Sequence, residues 1–246
     1  AVTGYESLDS AYKPASKKLT ADIYMRLNSD GTIRIDTGAY VGDGQGYRKA
    51  KNVYNGSITG ASSIGVFAVT DTSSNINIHV RGQLNGKMTI ANLGHGNIYL
   101  DSSVTYKDTS SISTNLLGLV AKDTIYITDD TTNCQNPVTI DAAVLATTFT
   151  AQHVYNNDAY GNNASKRLFT GQPNLYLKGS LAQYSRGVVG ASNSSNGQAY
   201  GFKKNYTYDS RFAGNVGAQG FPTLAYFAVA SWYESIQWSR NWWDIW

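Results

Sequence analysis

One seven-residue pattern occurs four times in this chain: IHVRGQL at 78–84, IYLDSSV at 98–104, VTIDAAV at 138–144 and LYLKGSL at 175–181. Each copy has branched apolar residues at its first, third and seventh positions and a small residue at its fifth. Because alternate side chains of a strand point to one face, each copy predicts a strand that buries these four positions. The apolar positions give the predicted core: Ile78, Val80, Leu84, Ile98, Leu100, Val104, Val138, Ile140, Val144, Leu175, Leu177 and Leu181.

The small residue recurs at the same place in every copy, as Gly82, Ser102, Ala142 and Gly179. The alternation of a strand does not require a small residue at this position, whereas a bend that packs against a neighbouring coil does require one. The copies start close to one or two multiples of about 20 residues apart, a spacing typical of coils that stack on each other. We therefore predict a β-solenoid. A β-sandwich, which also has short alternating strands, stays open as the alternative.

The predicted fold class is all-β, a solenoid with long side loops, a short N-terminal helix and a Tyr/Trp-rich C-terminal cap. Apolar residues three and four apart predict the helix within residues 1–20, and the alternation around Asn28–Gly31 predicts a hairpin. We divide the chain into an N-terminal helix remnant and hairpin at 1–57, a β-solenoid at 58–190, and a linker with an aromatic cap or docking segment at 191–246.

Composition favours an exported protein with a neutral surface. Charged residues make up 15% of the 246 residues, and Glu6 and Glu234 are the glutamates. Cys134 is the single cysteine, so no intrachain disulfide can form. No apolar run is long enough for a membrane span. Since Ala1 is not an initiator methionine, we expect that an upstream segment has been removed.

The sequence predicts no catalytic, metal or cofactor site. Asp101 and Asp141 hold the same position in two copies of the pattern, where we expect them to cap nearby amides. His79, His95 and His153 are isolated from other ligand types at the spacing that a metal needs. No nucleophile motif is present.

Two groups of residues are candidates for contacts. The first is the tryptophan-rich tail with Trp238, Trp242, Trp243 and Trp246, which either caps the end of the solenoid or docks a neighbouring subunit, a glycan or a membrane interface. The second is basic, with Arg48, Lys49, Lys51, Lys203 and Lys204 as candidate nucleic-acid contacts. Groups of this kind are more often a solvated surface.

The chain resembles a poorly characterised bacterial domain found in pilin-like, surface-associated proteins. The resemblance covers about residues 58–234 and is carried by the stretches 76–106, 117–127, 175–190, 206–211, 221–223 and 231–234. It implies a β-solenoid behind a pilin-like hydrophobic helix, and one relative looks like a pilus-tip protein of the DNA-uptake machinery. This chain departs from the pattern in lacking that helix, in having Gly217-Ala218-Gln219 in place of a proline pair, and in the tail 235–246.

These observations lead to one functional hypothesis and two alternatives. The hypothesis is a non-catalytic, extracellular subunit of a bacterial pilus-like or cell-surface assembly, with other copies or pilus-like subunits as partners. The first alternative is a carbohydrate-binding or carbohydrate-active β-helix with a polysaccharide partner, which an exposed ladder of Tyr99, Tyr126 and Tyr176 beside paired carboxylates would favour. The second is a DNA-binding minor pilin.

Overall fold

The computed structural model describes residues 6–7, 21–38, 51–129, 131–152, 172–192, 199–214, 217–218 and 220–221. Its strands are β1 (Glu6–Ser7), β2 (Asp22–Leu27), β3 (Thr32–Gly38), β4 (Lys51–Ser57), β5 (Val66–Val69), β6 (Ile78–Leu84), β7 (Lys87–Asn92), β8 (Ile98–Tyr106), β9 (Leu116–Ile127), β10 (Val138–Ala151), β11 (Asn174–Arg186), β12 (Gly190–Ser192), β13 (Ala199–Gly201) and β14 (Lys203–Tyr208). Short helices lie at Ile58–Ala61, Thr131–Gln135 and, in 3₁₀ form, Ser210–Gly214.

Strands dominate the described residues, which confirms the predicted all-β class. They form a 12-stranded mixed sheet and a separate antiparallel pair of β12 with β13. The predicted N-terminal helix is wrong at Glu6 and Ser7. These two residues pair in parallel with Phe67 and Ala68, so their backbone groups bond to the edge of the sheet instead of to a helical turn. The other residues of that prediction lie outside the described part.

The predicted hairpin is confirmed as β2 and β3. The two strands are antiparallel, with Met25 opposite Ile35. Gly31 closes the turn at φ 85°, a left-handed conformation that glycine adopts without steric cost. On its other side β2 lies parallel to β6, so the hairpin extends the sheet instead of forming a separate unit.

A row of inward-facing isoleucines runs across the parallel strands β2, β6, β8 and β9. Ile23 lies opposite Ile78, Ile78 opposite Ile98, and Ile98 opposite Ile125. Each is at most 1% exposed. Burying such a side chain stabilises a fold by about 1.5–3 kcal/mol, so this row is a major source of stability.

The third and fourth copies of the pattern align residue for residue in β10 and β11. Val138 lies opposite Leu175, Ala142 opposite Gly179, and Val144 opposite Leu181. A Cβ on Gly179 would run into the backbone carbonyl of Ala142. The predicted need for a small residue at position 179 is therefore confirmed. On its other side β11 pairs in parallel with β14, which lies beyond the predicted solenoid boundary at residue 190.

The first two copies align only in their first halves. The register between β6 and β8 shifts after Val80, so Gly82 lies opposite Val104 and not opposite Ser102. Two additional residues of β8 cause the shift. Gly82 instead packs its backbone against Leu27, and its φ of 109° also favours glycine. The repeated pattern predicts that the four small residues line up along one edge. This is wrong for the first two copies, since Gly82 lies opposite Val104, and Val104 lies opposite Ile140 and not opposite Ala142.

The core is one cluster of buried side chains that spans the parallel strands. It contains every residue of the predicted core except Leu181, which is half-buried against the same cluster. A smaller cluster covers an outer face of the sheet, where Ala68, Ala91 and Val120 lie in register and Leu145 and Phe221 pack against them. The chain after β14 therefore returns to the middle of the sheet.

Candidate functional site: a histidine in a tyrosine stack

Four aromatic rings stack across adjacent strands on the outer side of the isoleucine row. Tyr24, His79, Tyr99 and Tyr126 are paired in register on β2, β6, β8 and β9. The ring centroids are 4.6 Å apart for Tyr24 and His79, 4.9 Å for His79 and Tyr99, and 5.2 Å for Tyr99 and Tyr126. The interplanar angles are 25°, 12° and 16°, so His79 lies nearly parallel between two tyrosines.

Two carboxylates flank the imidazole of His79, which is 3% exposed. Its Nδ1 lies 2.9 Å and 3.1 Å from the two carboxylate oxygens of Asp101. Its Nε2 lies 3.9 Å from Oδ2 of Asp22, which is longer than a direct hydrogen bond. The other oxygen of Asp22 accepts a hydrogen bond from the backbone N–H of Asn77 at 2.9 Å. The charged form of His79 is thus surrounded by negative charge.

The carboxylates and the burial of His79 act on its pKa in opposite directions. Burial alone would lower the pKa of His79. The hydrogen bond with Asp101 and the interaction with Asp22 outweigh burial, so the pKa of His79 is raised above its ordinary value. Burial also raises the pKa of Tyr99, so this ring stays neutral beside the imidazole. Such a histidine keeps its proton to a higher pH than an unperturbed imidazole does.

A cleft of about 110 Å³ opens beside His79. Its lining consists of Asp22, Asn77, His79, Tyr99, Thr128 and Gln152. The first two lie at the start of β2 and just before β6, whereas the last two follow the ends of β9 and β10. Parallel pairing brings these polar strand ends together at one edge of the aromatic stack.

In the sequence His79 is an isolated histidine, so the sequence alone does not predict this site. The available signal was the second position of the repeated pattern, which holds His79, Tyr99 and Tyr176. The structure stacks the first two but places Tyr176 elsewhere, between Thr139 and Asn205 and 43% exposed. Asp101 bonds to the imidazole, and its expected capping of an amide stays a prediction. Asp141 does cap an amide, since its Oδ2 accepts from the backbone N–H of Tyr106 at 2.9 Å.

A second polar cluster surrounds Arg211, which lies in the 3₁₀ helix that follows β14 in the chain. Its guanidinium donates to Asp209 at 2.9 Å and to the carbonyls of Ser113 and Asn115 at 3.1 Å each, and it lies 4.9 Å from the centroid of the Tyr106 ring. Burial opposes ionisation of Asp209, but the hydrogen bonds from Arg211 lower the pKa of Asp209 below its usual value. Each of the three guanidinium nitrogens donates to an acceptor that belongs to the fold, so we interpret this cluster as structural.

Most of the contact residues predicted from sequence are not placed by the structure. Trp238, Trp242, Trp243, Trp246, Arg48 and Lys49 lie outside the described residues. Lys51 belongs to β4, but its side chain is outside the described part. Lys203 and Lys204 both lie in β14 and are exposed. As neighbours on a strand they point to opposite faces, so they do not form one basic surface.

Within the described ranges, no group of three or more His, Cys, Asp or Glu residues could hold a metal ion. The same part of the chain has no helix with the length and apolar character needed to cross a membrane. Comparison with protein-family models, with curated proteins and with solved structures finds no match to this chain. The pilin-like resemblance therefore stays a prediction.

Proposed function

We propose that this chain is a β-solenoid that serves as a non-catalytic structural subunit of a bacterial pilus-like or other cell-surface assembly. The observation that carries the proposal is the parallel register of its strands. Inward side chains repeat in line across β2, β6, β8 and β9, and again across β10 and β11, and β14 adds a further parallel strand beside β11. This register supports a stack of parallel coils, which would form a rigid rod with surfaces and loops available for contacts.

The last strand supports a role in subunit contacts. In the described part of the chain, β14 pairs only with β11. Tyr206 and Tyr208, in line with Leu177 and Gly179 of β11, are 43% and 59% exposed. A strand edge with exposed aromatic side chains is a surface that readily accepts another strand.

The carbohydrate alternative rests on the exposed tyrosines rather than on the aromatic stack. Sugar rings bind to the open faces of aromatic side chains, but Tyr99 already has His79 on one face and Tyr126 on the other. Tyr184, which is 93% exposed, and Tyr176 offer open faces. For the DNA alternative, Lys203 and Lys204 are the only candidate contact residues whose side chains the structure describes.

The proposal is tested on the cells that produce the protein. Immunogold labelling of intact cells should detect the chain at the surface, and shearing should release it together with filaments or surface complexes. Restriction of the chain to the cell interior, or turnover of a polysaccharide by the purified chain, would contradict the proposal. Binding to DNA that weakens steeply with salt would favour the second alternative.

A further inference from the structure

The cleft beside His79 presents an unusual set of polar groups for a structural protein. Asn77 accepts from the backbone N–H of Asn97 through Oδ1 at 3.0 Å, which leaves its Nδ2 as a donor. The side-chain amide of Gln152 makes no hydrogen bond with a described residue, whereas its backbone N–H donates to Ile127. Oδ2 of Asp22 has His79 at 3.9 Å as its nearest charged neighbour. The cleft thus combines an ionic acceptor with two amides.

The remaining lining residues are fixed and shape the cleft. Thr128 donates through Oγ1 to the carbonyl of Leu100 and accepts from the side chain of Asn133. Tyr99 is held between its two stacked neighbours. His79 is held by Asp101. The cleft is therefore a preorganised site, and its polar groups need little rearrangement to receive a ligand.

The chemistry of this set excludes several ligand classes. A metal ion would need more protein ligands than the described residues bring together. An apolar molecule would leave the carboxylate and amides without partners, which is costly. A sugar cannot stack on Tyr99, because both faces of that ring are covered. A hydroxyl group fits, since it donates to a carboxylate and accepts from an amide at the same time.

We propose that the cleft lined by Asp22, Asn77, His79 and Gln152 binds a small uncharged polyhydroxylated molecule, a polyol or a single sugar residue. One ligand hydroxyl donates to Oδ2 of Asp22, and the amides of Asn77 and Gln152 bond to its neighbours. A volume of about 110 Å³ admits part of one sugar ring or a short polyol, and the rest of a larger ligand lies outside. This site is separate from the strand edge that the proposed assembly would use.

The test is a titration of the purified full chain with each probe. Binding is monitored through the NMR signal of the side-chain amide of Gln152. The probes are erythritol, myo-inositol and D-glucose, with ethylenediamine and sodium acetate as charged comparisons. Gln152→Ala removes one ligand contact without breaking a hydrogen bond to any residue that the structure describes. Gln135→Ala is the matched control, because Gln135 is an exposed amide in the helix Thr131–Gln135. The titrations of both variants are followed through the backbone amide of residue 152.

We expect saturable binding of at least one polyol or sugar by the wild type. Gln152→Ala should weaken it by about three- to tenfold, the effect of losing one hydrogen bond, and Gln135→Ala should leave it unchanged. The proposal is overturned if none of the neutral probes saturates the site. It is also overturned if Gln152→Ala binds as well as the wild type, or if ethylenediamine binds more tightly, which would make this a cation site. Tighter binding of the cyclic probes, myo-inositol and D-glucose, would identify the ligand as a ring compound, and tighter binding of erythritol would identify it as an acyclic polyol.

Discussion

His79 couples its protonation state to the stability of the fold. Its pKa is raised above the ordinary 6.5, because the hydrogen bond with Asp101 and the nearby Asp22 outweigh its burial between Tyr24 and Tyr99. A group whose pKa is higher in the folded than in the unfolded state stabilises the fold at pH values below its unfolded pKa. That stabilisation is lost as the pH rises through the folded pKa.

We therefore expect the free energy of unfolding to fall as the pH rises from about 6.5 through the raised pKa. His79→Asn should cost about 2 kcal/mol at pH 6, the contribution of a charge-assisted hydrogen bond, and should flatten this part of the pH profile. Denaturant unfolding at a series of pH values measures both effects. His95→Gln is the control. Because His95 is exposed, this variant should have the same pH profile as the wild type. A profile in which His79→Asn has the same slope as the wild type would refute the coupling.

At the scale of single strands, the pairing of β10 with β11 depends on a glycine. A Cβ on Gly179 would overlap the backbone carbonyl of Ala142, and a backbone atom cannot move aside by changing rotamer. We expect Gly179→Ala to destabilise the protein by about 3 kcal/mol, at the upper end of overpacking effects. The control is Ser185→Ala, an exposed position of the same strand, which should change stability by less than about 0.5 kcal/mol. Chemical denaturation of both variants gives the comparison, and equal stability would mean that the two residues do not stack.

Two strand pairs, β10 with β11 and β6 with β8, show how far the sequence predicts the fold. The repeated pattern predicts the pairing of Ala142 with Gly179 because both copies have the same length through the bend. It does not predict that Gly82 lies opposite Val104, since the register depends on additional residues in β8 that preserve the apolar alternation. Binary patterning determines which face is buried but leaves the partner residue open wherever such a shift is tolerated.

The repeated pattern does not predict the candidate site either, for a different reason. Asp22 bonds to Asn77, 55 residues along the chain, only because the hairpin lies parallel to β6. The alternation in β2 predicts a strand but does not identify its neighbour. The outward positions also carry no apolar signal, so Tyr24, His79 and Tyr99 look like ordinary surface residues until the strand order is known.

At the scale of the whole molecule, local hydrogen bonds hold neighbouring strands together, whereas Arg211 connects distant parts of the chain. It bonds to the carbonyls of Ser113 and Asn115, 98 and 96 residues away, while Asp209 holds its other side. This contact joins the segment after β14 to the loop before β9. A strand at the end of a sheet has fewer neighbours than a central strand, so it opens first unless a longer-range contact restrains it.

We expect Arg211→Leu to destabilise the protein by about 3–5 kcal/mol, because it leaves Asp209 buried without its counter-charge. The double variant Arg211→Leu/Asp209→Leu should recover part of this loss, since no uncompensated charge remains. Hydrogen exchange followed by mass spectrometry should show faster exchange in β14 and at residues 113–117 in the single variant, with β2 and β6 unchanged. Uniformly faster exchange across all strands would instead mean that the sheet unfolds as one cooperative unit, and that Arg211 stabilises the whole fold rather than its end.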